Sequence, residues 1–421
     1  MARKRHFVKR FFKAVGPGFV TGAADDDPSG IATYSQTGAL FGYAQLWLVP
    51  FTYLFMTAVQ EMCGRIGLVT GTGLAGVLRR HYPRYVLWSA VTLLLIANVI
   101  NIGADLGAMV AAVQLVLPVP FMPLLIGIAV FILALQVYVP YRSYARFLSY
   151  LTFSLLAYVG VALVVRQDWT GIFYALSVPH IELSRAYVLN IAAFLGTTIS
   201  PYLFFWQTSQ EVEEKILEGE MSIKMRREQV NGRSVRRMRI DVWSGMFFSN
   251  LIAFFIFAAC AGTLYASGIT NIVTADQAAL ALKPFGEFAY LLFALGIVGT
   301  GLLAVPVLAG SSAYALAESF GWNHGLYRKL KQAYAFYGVI IVSMLLGIIA
   351  NFAHLDPIRG LIYAAVANGI IAPFILFFVV RLSSNRHLMG EYANRPLVSL
   401  IGWITIGVMV ISGIAAIATI L

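Results

Sequence analysis

Charge is scarce in this sequence. Asp, Glu, Lys and Arg make up 12% of its 421 residues, against 59% for hydrophobic types. A soluble core would be interrupted by charge at short intervals. Here apolar runs reach about 20 residues and recur along the chain, the length a helix needs to cross a bilayer. Those runs are continuous rather than alternating, which makes a membrane β-barrel a weak alternative. Cysteine is nearly absent: Cys63 and Cys260 sit far apart in apolar segments. That excludes a disulfide framework or a cysteine metal cluster and leaves both as packing residues. No nucleophile–base pair stands out, and Gly71-Thr72-Gly73 is not followed by a phosphate loop, so an enzyme is not expected. The N-terminal MARKRHFVKRFFK is basic, but no small-residue cleavage site follows a short apolar core, so a cleaved signal peptide is not expected either.

Acidic residues are outnumbered, 19 to 30, leaving a net charge of +11. In a soluble protein that balance would suggest nucleic acid; here topology accounts for it. Eleven spans are read, at about 15–41, 44–69, 86–117, 121–139, 145–166, 187–210, 239–267, 285–318, 333–352, 358–381 and 397–420. With a cytoplasmic N-terminus, every Lys and Arg except Arg166, Arg185, Lys283 and Arg359 falls on the cytoplasmic side. This is the positive-inside bias, and a wrong span count would have scrambled it. The C-terminus is then outside. The expected partners are the lipid bilayer and a small solute, with no nucleic acid, and a monomer is expected. Compact loops and the lack of a eukaryotic targeting signal point to a bacterial inner membrane. The 211–238 loop mixes Glu with Lys and Arg and reads as a solvated linker or a short surface helix.

Two spans break in the middle. The first contains Asp25-Asp26-Asp27-Pro28-Ser29-Gly30. Each carboxylate in hydrocarbon costs about 2.5–3.5 kcal/mol even on the lenient insertion scale. Pro28 cannot donate to the helix ladder and pushes Asp27 out of the α region, while Gly30 permits an unusual backbone. The sixth span carries the counterpart, Gly196-Thr197-Thr198-Ile199-Ser200-Pro201-Tyr202. Unwound backbone at membrane depth survives only where it lines a cavity or a bound ion. Broken helices at matching places in two five-helix halves are the best sequence pointer to a transporter site. A solvent-exposed loop is the competing reading of the Asp triplet, but charge-free segments flank it on both sides. Thr197, Thr198 and Ser200 could equally serve the carbonyls freed at the kink. Carboxylates, hydroxyls and freed carbonyls are hard oxygen ligands suited to Mg2+, Ca2+ or Mn2+. With Asp26, Asp27, Ser29, Gly30 and Ser200, such a site has room for a partly hydrated Mg2+.

The region 16–43, GPGFVTGAADDDPSGIATYSQTGALFGY, resembles the first helix of the NRAMP divalent-metal transporters, whose signature there is Asp-Pro-Gly-Asn. QEMCGRIGLVTGTGL and ADLGAMV are similar to that family's second and third helices, and Ile240-Asp241 with Asn250 to its seventh. The resemblance implies an all-α membrane protein of the LeuT fold, with two inverted five-helix repeats (about 15–166 and 187–381) and an extra helix at about 397–420. It also implies alternating access, a transported metal ion and no cofactor. On the family pattern Asp27 matches the metal-binding aspartate, Gly30 replaces an asparagine ligand, and the carbonyl ligand falls on Thr197. The family's Met-Pro-His reads Ser200-Pro201-Tyr202, so the thioether that favours transition metals is lost. These substitutions resemble the NRAMP-related magnesium transporter branch. The proton route departs too: Tyr202 replaces a histidine, and Asp105-Leu106-Gly107-Ala108 keeps only the aspartate of Asp-x-x-Glu. Tyrosine is a poor shuttle at neutral pH. Uncoupled transport of Mg2+, and of Mn2+, is therefore expected; the potential alone supplies about 4.6 kcal/mol per 100 mV for a divalent ion.

Asp25, Tyr202, Asp105, Gln207 and Asn368 form a candidate outer shell around the ion; interhelical glue is the competing role for Gln207 and Asn368. Glu61 and Arg65, four apart, read as a structural ion pair, and Asp241 as pairing with the Arg-rich stretch before it. The alternatives are a proton-coupled Mn2+/Fe2+ symporter, a Na+-coupled solute carrier of the same fold, and a membrane scaffold or metal sensor without flux.

Overall fold

The computed structural model describes residues 16–139, 155–165, 167–182, 184–272, 274–286, 288–353 and 356–420, and these form helices joined by short connections. The first expected span is two half-helices, α1 (Pro17–Asp25) and α2 (Pro28–Phe41). They are followed by α3 (Leu48–Thr70), α4 (Leu74–His81), α5 (Arg84–Gln114) and α6 (Phe121–Tyr138). Next come α7 (Leu156–Val164), α8 (Trp169–Ser177), and a second broken pair, α9 (Arg185–Thr198) with α10 (Pro201–Leu217). The chain continues with α11 (Ile223–Glu228), α12 (Gly232–Thr263), α13 (Phe288–Phe320), α14 (Tyr334–Ala350), α15 (Pro357–Ser383) and α16 (Pro396–Ile420).

Among the described residues, seven stretches are long and apolar enough to cross a membrane: α5, α6, the α9–α10 pair, α12, α13, α15 and α16. The spans read at 44–69 and 333–352 are α3 and the 17-residue α14. The span read at 145–166 corresponds to α7; its earlier part lies outside the described residues, as do Arg142, Arg146, Arg166 and the basic N-terminal stretch. The 211–238 loop holds the short helix α11.

Both breaks follow one local rule. Pro28 opens α2 and Pro201 opens α10, each at the first helical position, where a missing N–H costs nothing. The residue before each proline is extended, Asp27 at φ −70°, ψ 172° and Ser200 at φ −82°, ψ 136°. One step earlier, Asp26 (ψ 51°) and Ile199 (ψ 60°) have already left the helix. Two residues out of register therefore suffice to end one half-helix and start the next.

Small residues bring the half-helices onto their supports. α1 crosses α12 at Gly22 and Gly245, where a Cβ on either glycine would run into the other helix's backbone. α9 meets α15 in the same way, through Gly196 and Gly369. This is the close approach that small residues permit between membrane helices. Cys63 and Cys260 are buried and unbonded to each other.

Candidate functional site

The two breaks face one another inside the bundle. The Ser29 and Thr197 hydroxyls lie 3.2 Å apart, and the Tyr202 hydroxyl donates to the Ala24 carbonyl at 2.9 Å. α1 and α9 end here and α2 and α10 begin here, so freed carbonyls of two helix ends lie at the gap beside two helix N-termini.

Asp27 is the organising residue. Its Oδ1 accepts from the Gly30 amide at 2.8 Å and the Ser29 hydroxyl at 2.6 Å, capping α2. Its Oδ2 accepts from Asn101 Nδ2 on α5 at 3.0 Å. Gly30 is closely surrounded: a Cβ there would stand 3.3 Å from the Tyr34 ring, 3.4 Å from the Asp25 carbonyl oxygen and 3.5 Å from Thr197 Oγ1.

Asp25 and Asp26 turn elsewhere. Both accept from Ser249 Oγ on α12, at 2.8 and 3.2 Å. The structure thus places Asp26 with Asp25 on α12, while Asp27 gathers Ser29, Gly30 and Asn101. Ser200 donates to the Gly196 and Thr197 carbonyls at 2.8 and 3.0 Å, and Thr198 to the Phe194 carbonyl at 2.9 Å. The Ser200 hydroxyl therefore serves carbonyls freed at the break, while Thr198 bonds back within its own helix. Asp105, on α5, faces Asp27 and the Ser29 amide without a full hydrogen bond to either carboxylate oxygen. Gln207 links α1 to α10, accepting from Thr21 at 2.5 Å and donating to Glu211 at 2.9 Å. Asn368 is buried on α15 with its amide nitrogen unpaired.

Four buried aspartates thus surround the breaks, and among the described residues no Lys or Arg forms an ion pair with any of them. Carboxylates gathered in a dry interior need compensation, by a proton or by a bound cation. Among the described residues no three His, Cys, Asp or Glu side chains converge as a ready ligand set. A cation here would draw part of its shell from carbonyls, hydroxyls and water, which suits a hard ion.

Glu61 and Asp241, two further charged residues of the spans, have partners of their own. Glu61 pairs with Arg65 at 3.8 Å, and also accepts from Arg239 and from Trp243 Nε1, each at 2.9 Å. Asp241 feels Arg237 of the basic stretch, as expected, but its carboxylate also caps α1, accepting from the Gly16 and Gly18 amides at 2.9 and 2.6 Å. Asn250 faces α3, donating to Thr52 at 3.2 Å, and does not reach the breaks.

Asn101 and Ser249 were not singled out by the sequence. A signal existed for the first, since Asn98, Asn101 and Asp105 are spaced three and four apart and share one face of α5. Nothing marks Ser249 among the other small residues of α12.

The family model described as natural resistance-associated macrophage protein-like matches residues 18–419. A divalent metal cation transporter, MntH, of Klebsiella pneumoniae strain 342 is 28% identical over 408 residues, covering 94% of this chain and 91% of its own length. The structure of the Eremococcus coleocola manganese transporter in complex with an aromatic bis-isothiourea substituted compound superposes with a TM-score of 0.77. That match has 16% identity and covers 98% of this chain and 88% of the other. Mhp1, a nucleobase-cation-symport-1 family transporter in a closed conformation, reaches 0.58 at 14% identity, over 96% and 90% of the two chains. At such identities these likenesses concern the fold, and they bear out the all-helical LeuT fold with its first and sixth helices broken.

Proposed function

The chain belongs to the Nramp family, and from that premise we propose that it carries divalent metal ions across a membrane, with Mg2+ as the main cargo and Mn2+ as a second. Transport is uncoupled and proceeds by alternating access. The relatives' names support the coarser part, divalent metal transport rather than catalysis. The choice of Mg2+ rests on one observation: the donors at the facing breaks are all oxygens, with Asp27 at their centre and Ser200 where the family carries a thioether. A soft ligand would favour a transition metal; oxygen donors with room for water favour Mg2+.

In this reading Asp27, the Thr197 carbonyl and Gly30 hold the ion. Asp26 and Ser200 join when the breaks rearrange, and Asp25, Tyr202, Asp105, Gln207 and Asn368 form the surrounding polar shell. The whole chain is one transporter domain, with repeats at about 15–166 and 187–381 and a last helix at about 397–420. It works as a monomer in a bacterial inner membrane, N-terminus inside and C-terminus outside.

Proton-coupled manganese uptake is the second reading, favoured by the manganese transporter among the structural neighbours. Tyr202 speaks against it, because its hydroxyl is held by the Ala24 carbonyl and a tyrosine does not exchange protons readily near neutral pH. Proteoliposomes holding a Mg2+-sensitive dye and a pH dye separate the two. Mg2+ influx without acidification of the lumen is the expected result. Entry of Mn2+ with acidification, and no Mg2+ influx by folded protein, would move the assignment to the symporter.

A further inference from the structure

A groove of roughly 300 Å3 runs along the lipid-facing surface between α5, α13 and α14. Its walls are almost entirely apolar, from Leu95, Val99, Leu316, Val339, Val342 and Leu346. Gly338 forms part of its floor, and a Cβ built there meets no atom within 4 Å. One end of the groove is closed by Trp322, which also lines a second, larger chamber of roughly 550 Å3. The two cavities are therefore neighbours, with the Trp322 indole as their shared wall.

The chamber has a different character. Arg79, Arg80 and Arg328 line it together with His324, and Arg79 and Arg80 are exposed. Its two carboxylates are already engaged: Glu318 accepts from the Gly76 amide at 2.9 Å and from Ser209 at 3.0 Å, and Glu213 from the Leu326 amide at 2.6 Å and from Tyr314. Arg226, the fourth arginine of the chamber, is spent on the Gly71, Glu220 and Met221 carbonyls. Arg79 donates to the Glu318 carbonyl at 3.4 Å and Arg328 to the Tyr327 hydroxyl at 3.0 Å; both partners are neutral, so the charge left accessible is positive.

Aromatic rings mark the depth of this junction. Trp322 stacks on Phe320 at 4.4 Å and 9°, and Trp88 packs on Phe320 at 4.9 Å. Tryptophans gather at the headgroup level of a bilayer, with the acyl chains to one side and water to the other. The apolar groove lies on the hydrocarbon side of these rings and the arginine chamber on the aqueous side.

We propose that this composite cavity is a binding site for an anionic phospholipid, with one acyl chain in the α5–α13–α14 groove and the phosphate at Arg79, Arg80 and Arg328. The groove is too small for a helix, which is about 10–12 Å across with its side chains. Basic pockets between membrane helices at the aqueous boundary are suited to lipid phosphates. A free phosphate would satisfy the arginines but leave the groove unexplained, and a zwitterionic lipid would fill the groove with less gain from the arginines. The site is separate from the breaks at Asp27 and Thr197, and its occupancy does not depend on which metal is carried.

The test is lipid retention by the full chain in detergent, without added metal, read by native mass spectrometry. The probes are phosphatidylglycerol and phosphatidylcholine with identical acyl chains. Wild type is expected to retain phosphatidylglycerol preferentially. Arg79→Ala with Arg80→Ala should erase most of that preference, roughly twenty-five-fold at about fivefold per arginine. Gly338→Phe, which fills the groove from an open position, should reduce retention of both lipids. Size-exclusion profile and melting temperature confirm that each variant is folded. Equal retention of the two lipids by wild type, or undiminished phosphatidylglycerol binding by a folded Gly338→Phe, would overturn the proposal. Displacement of the lipid by millimolar glycerol 3-phosphate would overturn the role of the acyl chain.

Discussion

Asp27 caps α2 and is the proposed centre of the metal site, and two substitutions separate those roles. In Asp27→Ala, the Ser29 hydroxyl, the Gly30 amide and Asn101 Nδ2 all lose their acceptor in a buried setting. Ser29 can turn to the Thr197 hydroxyl, but the other two are orphaned at about 1–3 kcal/mol each, so a total of roughly 2–6 kcal/mol threatens the fold itself. A loss of transport in that variant says little about the metal. Asp27→Asn is the sharper test, because asparagine caps a helix about as well as aspartate. Its side-chain oxygen can keep the Gly30 and Ser29 bonds. Its new amide would face Asn101, whose own Oδ1 is at present unpaired, and rotating the Asn101 amide restores a donor–acceptor match. The fold is retained while the charge is removed. Loss of an outer-shell partner typically weakens metal binding about 10–100-fold, so removing a direct ligand should reach or exceed the upper end. The assay is Mg2+ binding by calorimetry on purified protein, with a thermal melt beside it. A melting point within a few degrees of wild type and affinity at least about 100-fold lower is the expected pair. Wild-type Mg2+ affinity in a folded Asp27→Asn would refute the placement of the ion.

Asn101→Ala removes only the donor to Asp27 Oδ2, and should weaken Mg2+ affinity about 10–100-fold by calorimetry while leaving the protein folded. Ser200→Met installs a thioether at the second break; competition uptake should show the Mn2+ to Mg2+ preference rising by about tenfold, and an unchanged ratio would remove Ser200 from the selectivity argument. Glu61→Ala strips the shared partner from Arg65, Arg239 and Trp243, so a destabilisation of about 3–5 kcal/mol is expected in denaturant melts, with metal affinity unaltered in the fraction that remains folded.

The breaks were legible because proline acts locally: it fixes its own φ and expels its predecessor from the helix, wherever the chain is folded. Asp27 and Ser200 are extended for that reason alone. The Glu61–Arg65 pair was legible for a similar reason, a spacing of four on one helix. What each carboxylate meets across helices was not. Asp25, Asp26 and Asp27 are adjacent in sequence, yet the turn between the half-helices sends two toward Ser249 and the third toward Asn101. The distinction depends on backbone direction at Asp26, which no residue pattern encodes. Asp241 shows the same limit. Arg237 acts on it as its basic neighbourhood suggests, but its hydrogen bonds come from the N-terminal amides of a helix more than two hundred residues away.

That contact, with the glycine crossing and the serine bridge, means that α1 is fastened to α12 at three heights: Asp241 at one end, Gly22 against Gly245 in the middle, and Ser249 at the break. α12 is 32 residues long, about 48 Å at the helical rise. A half-helix of nine residues is thus splinted to a strut longer than the bilayer core is thick. If α1 swings during transport with these fastenings intact, the strut swings with it and movement near the ion is carried to both faces of the membrane. If α1 swings alone, it must first let go of Asp241 and Ser249, and those two side chains then set the height of the barrier between the two ways of facing the water.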